Sequence, residues 1–364
     1  MKVLITGGCG FVGYHTASKY LDEGHEVTII DNLERASLLG YAENVPDSRK
    51  YSNYDALVDK GARILLSDIS KESTFDSLKE GQSDINGRTI ALAEECFDYI
   101  IHLAAQCGVP PSIENPRRDF EVNALGTLNL LEYVRQTGGK MVYISTNKVY
   151  PLHAGWTKDP KTNQWQWSVP VKREHGMAVK AYDNHGSRTP YGASKFVGDI
   201  YAQEYHHIYG IPMGIFRCSC LAGTHQFSYQ EQGWVTWFAI AAEKGLPINI
   251  FGDGEQVRDV LWSGDVVSAI DGFLTSQLDY GLWNLGGGPS NTLSVNECVR
   301  ILSELTGKNV FNQVTYHDWR PSDQRIYTSD IRNVKRDLNW APTKPPKDLL
   351  EEILEWVREF KAIL

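Results

Sequence analysis

Residues 2–31, KVLITGGCGFVGYHTASKYLDEGHEVTIID, constrain this chain more than any other stretch. KVLIT is a short apolar run, as suits a parallel strand buried on both faces. TGGCGFVG follows at Thr6–Gly13, with Gly7, Gly10 and Gly13 at GxxGxxG spacing. Glycine lets the backbone turn tightly and lets a pyrophosphate come close, and the N-terminus of the following helix meets the phosphate charge. The helix runs to Gly24, and EVTIID is the second strand, closed by Asp31, 18 residues after Gly13. A carboxylate there accepts hydrogen bonds from the adenosine ribose and repels a 2′-phosphate, so the pattern predicts NAD over NADP. Arg35 is the nearby cation that would favour the phosphorylated cofactor. Glycines alone could mark a structural turn, but strand, helix and acid together make a dinucleotide loop.

Further strands read at GARILLSDI (61–69), FDYIIHLAA (97–105), KMVYIST (140–146) and MGIFRCS, with helical spacing over 120–135 and 191–209. This alternation predicts an α/β fold, a Rossmann-type doubly wound parallel sheet over residues 1–220. After about residue 220, short strands (INIFG, WNLGG, VTYHD) mix with helices at 233–244, 264–277, 294–306 and 347–361. Residues 221–364 therefore read as a smaller C-terminal α/β lobe for substrate, the two lobes interleaving in space. Two stretches read as excursions. Residues 36–60 are polar and turn-rich. The insertion at about 151–188 carries Trp156, Trp165 and Trp167 and reads as a hairpin around Lys161-Thr162-Asn163, either a flap packed on the domain or a lid.

A formal net charge of −9 argues against broad nucleic-acid binding, which needs a basic face. No apolar run reaches the ~18 residues that span a bilayer. With KVLIT starting at Lys2, no signal peptide is expected, and the expected location is the cytoplasm. Six scattered cysteines form no CxxC pair and read as free thiols. Cys218 and Cys220 are expected on one strand face as small core residues. No metal is expected; His206 and His207 are adjacent on a helix and cannot face one ion together.

YGASK places Tyr191 and Lys195 at i and i+4, on one helix face. A tyrosine of ordinary pKa, about 10, is a poor base at neutral pH, but a neighbouring ammonium and a positively charged nicotinamide favour its phenolate. Tyr-x-x-x-Lys is common by chance. Here it follows a dinucleotide loop and STNKVY, residues 145–150, at the end of a strand.

At these residues the chain resembles the extended short-chain dehydrogenase/reductase family, and within it the nucleotide-sugar epimerases and dehydratases. TGGCGFVG, Asp31, SDI, HLAAQ, the Asn123–Gly126 helix start, STNKVY, YGASK, GDGEQVRDV and RPSDQR fall in family order over nearly the whole chain. The resemblance implies that Thr146 holds a sugar hydroxyl, Tyr191 is the base and Lys195 orients the cofactor. It implies cofactor contacts at Gly7, Gly10, Phe11, Val12, Gly13, Asp31 and Asn32. Asp68, Ile69, Leu103, Ala104, Ala105, Gln106 and Asn123 complete that set, Asp68 and Ile69 at the adenine. It places Arg258 and Arg320 on a diphosphate, Asp323 on the nucleotide ribose and Asn147 at the sugar. Arg325 is a further candidate. Trp234 and Trp237 are expected mainly in the core, with base stacking by Trp234 as the alternative.

The related dehydratases carry Asp and Glu after that threonine; Asn147 and Lys148 stand there instead. An amide has no acidic proton, so dehydration is not expected. STNKVY together with SYQEQGW resembles the CDP-paratose (CDP-tyvelose) 2-epimerases. The implied reaction oxidises carbon 2 of a CDP-linked hexose to a ketone and returns the hydride to the opposite face, with NAD retained. A 4-epimerase or a UDP-glucuronate decarboxylase would use the same trio. A non-catalytic NAD-binding scaffold would be expected to break it. Cys220 stands where the family commonly has an asparagine, and Pro151 where it has a glycine. The helices at 120–135 and 191–209 resemble the pair that forms a homodimer in this family, with a tetramer as the larger alternative.

Overall fold

The computed structural model describes residues 1–34, 47–80, 82–83, 89–90, 96–152, 155–168, 170–179, 186–320 and 322–360. Arg35 lies outside them. Seven strands form one sheet: β1 (Lys2–Thr6), β2 (Glu26–Asp31), β3 (Arg63–Leu66), β4 (Tyr99–His102), β5 (Lys140–Thr146), β6 (Met213–Cys218) and β7 (Tyr280–Leu285). Their order is β7-β6-β5-β4-β1-β2-β3. Pairing from β3 across to β5 is parallel, with Ile5 level with Ile29 on one side and Ile101 on the other. Val3, Leu4, Ile5, Ile29, Ile30, Ile100 and Ile101 are wholly buried, which is why these strands read as unbroken apolar runs. The chain winds outward from β1 in both directions, through β2 and β3 on one side and β4 to β7 on the other. In such a sheet the carboxyl ends of the strands beside that switch point form the ligand-binding crevice.

The chain divides into two compact units: Met1–Val149, Thr189–Phe216 and Ile270–Leu282 in the first, and Tyr150–Arg188, Arg217–Ala269 and Trp283–Leu364 in the second. β7 contains WNL of the WNLGG stretch; it is an edge strand of the seven-stranded sheet, and its residues from Trp283 on belong to the second unit. The polar stretch at 36–60 differs from expectation, since Asp47–Asp59 is a helix.

The second unit holds a four-stranded sheet built on Val257–Trp262. Asp259 in that strand is wholly buried and accepts the backbone N–H of Gly288 and Ser329 and the Ser219 hydroxyl, so one carboxylate joins three other segments. The Trp156–Lys158 and Trp165–Trp167 strands form the expected hairpin, with Asn163 left-handed at its turn. Within its own unit that hairpin is tied down: Trp165 Nε1 donates to both Asp253 oxygens, its backbone N–H to the Glu255 carbonyl, and Trp167 Nε1 to Thr328 Oγ1. This favours the packed flap over the lid. Cys218 ends β6 while Cys220 begins a strand of the other sheet, so the two do not share one strand. All six cysteines are free thiols.

Candidate active site

The glycine loop is shaped by close approach. Gly7 is left-handed at φ +73, and a Cβ there would lie 2.6 Å from the Ala104 amide nitrogen. A Cβ on Gly13 would come within 2.6 Å of Gly8 Cα, and closer still to the Gly7 carbonyl oxygen. Gly10 donates to the Gly7 carbonyl and caps the helix Phe11–Asp22, whose first turn has neither a side-chain cap nor an acidic residue. The Phe11 and Val12 amides are thus set at the positive end of a helix with no side chain competing for them, as a pyrophosphate requires. Asp31 accepts the Cys9 and Leu33 amides at 2.9 and 2.8 Å, which ties the end of β2 to the loop. These residues fit a dinucleotide.

Beside them lies a charge cluster that sequence reading assigned only in part. Asn32 donates to Glu34 and Asp68, and Arg118 donates to Glu34, Asp68 and Ser70. The Arg118 hydrogen bond holds the Glu34 carboxyl below its usual range, outweighing burial. Burial would raise Asp68, but the Ser70 amide and hydroxyl and then Arg118 bring it below the usual carboxylate range. Ile69 turns into the core and packs where a Cβ on Gly126 would fall.

The HLAAQ segment continues β4. Leu103 donates to the Thr6 carbonyl, and Ala104 to the Thr6 hydroxyl, 3.3 Å away. His102 bridges the Thr6 and Thr127 hydroxyls; burial and then the Lys195 charge push its pKa down to about 3, so it is neutral. Gln106 and Asn123 exchange a reciprocal pair of bonds, Gln106 N–H to Asn123 Oδ1 and Asn123 Nδ2 to the Gln106 carbonyl.

Thr146 is buried at the end of β5, and Asn147 is buried in the single turn Asn147–Val149 that follows. The Lys148 amide turns back to Thr146 Oγ1 at 3.3 Å. The helix Thr189–Tyr209, which carries Tyr191 and Lys195, packs against both β5 and this turn. Contact is tight: a Cβ on Gly198 would lie 2.5 Å from the Tyr143 hydroxyl. Lys195 is 3% exposed; its Nζ donates to the Ile144 carbonyl at 2.7 Å and lies 4.3 Å from the Tyr143 ring centroid. Tyr143 closes the loop by donating to the Lys195 carbonyl. Ser145 donates to Asp199 at 2.5 Å, a second tie between strand and helix. The ammonium is therefore fixed by its surroundings before any ligand arrives.

In the second unit, Arg258 and Asp323 are paired with each other at 3.0 Å, and Arg258 also donates to the Val257 and Gln324 carbonyls. Arg320 pairs with Glu231 at 2.7 Å and stacks 3.9 Å from the centroid of Phe251. Arg325 stacks on Trp319. Trp234 meets Phe238 edge-on, and the buried Trp237 indole N–H has no hydrogen-bond partner among the described residues. Among the described residues, no cluster of side chains could hold a metal ion, and no helix is long and apolar enough to cross a membrane.

Comparison with known proteins gives one family. The profile of the NAD dependent epimerase/dehydratase family matches residues 3–286. The chain is 34% identical to the CDP-paratose 2-epimerase of Salmonella typhi, over 98% of this chain and 99% of that one. It is 29% identical to a UDP-glucuronate 4-epimerase of Thermodesulfobacterium geofontis, over 98% and 96%. Among solved structures, a Thermus thermophilus UDP-glucose 4-epimerase in complex with NAD superposes with a TM-score of 0.73 at 28% identity, over 98% of this chain and 99% of that one. The glycine loop, the switch-point sheet and these full-length matches agree: the chain belongs to the NAD dependent epimerase/dehydratase family, and its cofactor is NAD.

Proposed function

We propose that the protein inverts carbon 2 of a CDP-linked hexose of the CDP-paratose/CDP-tyvelose type. The observation that carries this reading is the 34% identity, over almost the full length of both chains, to a CDP-paratose 2-epimerase. The buried amide of Asn147, standing beside Thr146 where an acid would be needed to expel water, supports it. Bound NAD supplies a hydride acceptor and donor, so the sugar carbon can pass through a planar ketone.

The protein's own groups do the rest. Gly7, Gly10, Gly13 and the Phe11–Val12 amides hold the pyrophosphate, and Asp31 takes the adenosine ribose hydroxyls. Asn32 and Asp68 border the adenine, with Leu103, Ala104, Ala105, Gln106 and Asn123 lining the floor. Ile69 supports that floor from the core. Thr146 positions the reacting hydroxyl, with Asn147 beside it as a neutral hydrogen-bonding partner for the sugar. Tyr191 removes the hydroxyl proton and returns it after the ketone has turned over. Lys195, already fixed on Ile144, orients the cofactor and favours the Tyr191 phenolate. Arg258 with its partner Asp323, and Arg320, are assigned to the nucleotide diphosphate, which arginine's planar fork suits.

We assign the exposed apolar residues of the Thr189–Tyr209 helix to a homodimer contact. Ile208 and Tyr209 are 68% and 51% exposed, and Phe120, the last residue of the Pro116–Phe120 helix, is 53% exposed.

The test is a product assay without added cofactor. CDP-paratose and the CDP-, UDP- and GDP-linked glucoses are incubated with the purified protein and the sugars read by NMR. Inversion at carbon 2 of a CDP-linked sugar, without net NADH, is the expected result. A galacto-configured product would move the reaction to carbon 4 and overturn the assignment.

A further inference from the structure

Arg118 is a cation of the charge cluster beside the glycine loop that the reaction described above does not use. Its Nε donates to Glu34 Oε1 at 3.0 Å and its Nη2 to Glu34 Oε2, so a single carboxylate closes one edge of the guanidinium fork. Nη2 also donates to Asp68 Oδ2 at 2.6 Å, and Nη1 to Ser70 Oγ at 3.2 Å. The helix Pro116–Phe120 brings Arg118 to this place, while Glu34 follows β2 and Asp68 follows β3.

The segment after β2 is folded so as to present Glu34. The Leu33 N–H donates to Asp31 Oδ1 at 2.8 Å, and the Glu34 N–H to Asn32 Oδ1 at 3.0 Å. Leu33 is left-handed at φ +53, a backbone that leucine disfavours and that these two side-chain-closed turns impose. Asn32 Nδ2 then donates to Glu34 Oε2 at 3.0 Å, which supports the carboxylate from the loop side. Asp31 lies three residues before Glu34 and is tied to the glycine loop through the Cys9 amide.

NADP differs from NAD only by its 2′-phosphate, and an arginine near the adenosine ribose is the usual receiver of that group. An arginine fork takes phosphate oxygens through the same paired N–H groups that take a carboxylate. Glu34 therefore fills the edge of Arg118 that a phosphate would use. Glu34 and Asp68 together also carry one charge more than the guanidinium balances, which opposes a further anion.

We propose that Glu34 is a specificity-determining residue of the cofactor site: by closing the Nε–Nη2 edge of Arg118 it denies that cation to a 2′-phosphate, and so adds to Asp31 in selecting NAD over NADP. The proposal rests on the reading of Asp31 as the residue that takes the adenosine ribose.

The test is calorimetric titration of the NAD-free full chain with NAD and, separately, with NADP. The unaltered protein is compared with Glu34→Ala, Arg118→Met and the double variant. Glu34→Ala should lower the NAD-over-NADP affinity ratio by roughly tenfold or more, through tighter NADP binding. That gain should be absent from the double variant. An unchanged ratio in Glu34→Ala overturns the proposal. So does a gain that persists in the double variant, because it would not come from Arg118. The Glu34 side chain is 39% exposed, so the variant is expected to fold, and its melting temperature checks this. Should Glu34→Ala not fold, Glu34→Gln removes the charge at the same length, and the same outcomes decide. An NAD affinity left unchanged by Asp31→Ala would sink the ribose assignment itself, so the two failures are told apart.

Discussion

Replacing Gly13 by alanine should separate the roles of two glycines in the loop. The added Cβ would sit 2.6 Å from Gly8 Cα, about 1 Å inside the separation two carbons prefer. Both neighbours are backbone and cannot rotate aside, so the Gly7–Gly8 segment must move. Overpacking of this kind costs about 1–3 kcal/mol of stability. The shift also breaks the Gly10 N–H bond to the Gly7 carbonyl and turns amides away from the pyrophosphate. Losing one charge-assisted hydrogen bond, about 1.5–3 kcal/mol, should weaken NAD binding by roughly ten- to a hundredfold. Gly10→Ala is the control. Its Cβ meets only the Gly7 carbonyl oxygen, at 3.2 Å, and its backbone is extended, so apo stability should change by less than about 1 kcal/mol. Its methyl would still stand where the pyrophosphate approaches. Urea unfolding of the NAD-free protein and calorimetric titration with NAD measure the two effects separately. A Gly13→Ala protein with unaltered stability and NAD affinity would refute the close-packing argument.

Three further outcomes follow from the site. Tyr191→Phe should abolish turnover while leaving NAD affinity within about twofold, since the lost hydroxyl belongs to the reacting end; calorimetry and the NMR product assay check both, and full activity would remove Tyr191 as the base. Asp31→Ala should weaken NAD binding by about 1.5–3 kcal/mol, from lost ribose bonds and a loosened Cys9 tie, and an unchanged dissociation constant would remove the ribose assignment. Arg118→Met should flatten the acid limb of the stability curve: Glu34 and Asp68 both lie below their usual values when folded, so their contribution is full above about pH 4.5 and is lost as pH falls through the folded values. Urea midpoints from pH 3 to 7 would show it, and parallel curves for the two proteins would contradict it.

The glycine loop was legible because its spacing answers to local sterics: a strand, a turn with no room for Cβ atoms and a helix start lie within 13 residues of the N-terminus. YGASK was legible for a similar reason, since i and i+4 share a helix face whatever the rest of the chain does. The tryptophan hairpin announced itself through a turn residue, Asn163, that tolerates a left-handed backbone. What escaped was non-local. Arg118 joins Glu34 and Asp68 across 84 and 50 residues, and no local pattern marks such a triad. The strand at Tyr280–Leu285 was visible, but which sheet it joins depends on β6, more than 60 residues earlier. The helix Asp47–Asp59 was hidden by its own composition, DSRKYSNYDALVD, which carries few apolar residues to betray a 3.6-residue period. Arg258 and Asp323, read separately as ligands of phosphate and ribose, turn out to be partners of each other.

The most direct measurement is the reaction with CDP-paratose in D2O, with the product read by NMR and mass spectrometry. Carbon-2 inversion through a retained hydride predicts CDP-tyvelose with protium, not deuterium, at carbon 2 and no accumulation of NADH. Deuterium at carbon 2 would mean that a solvent proton replaced the hydrogen removed, and would contradict the hydride route on which the account rests.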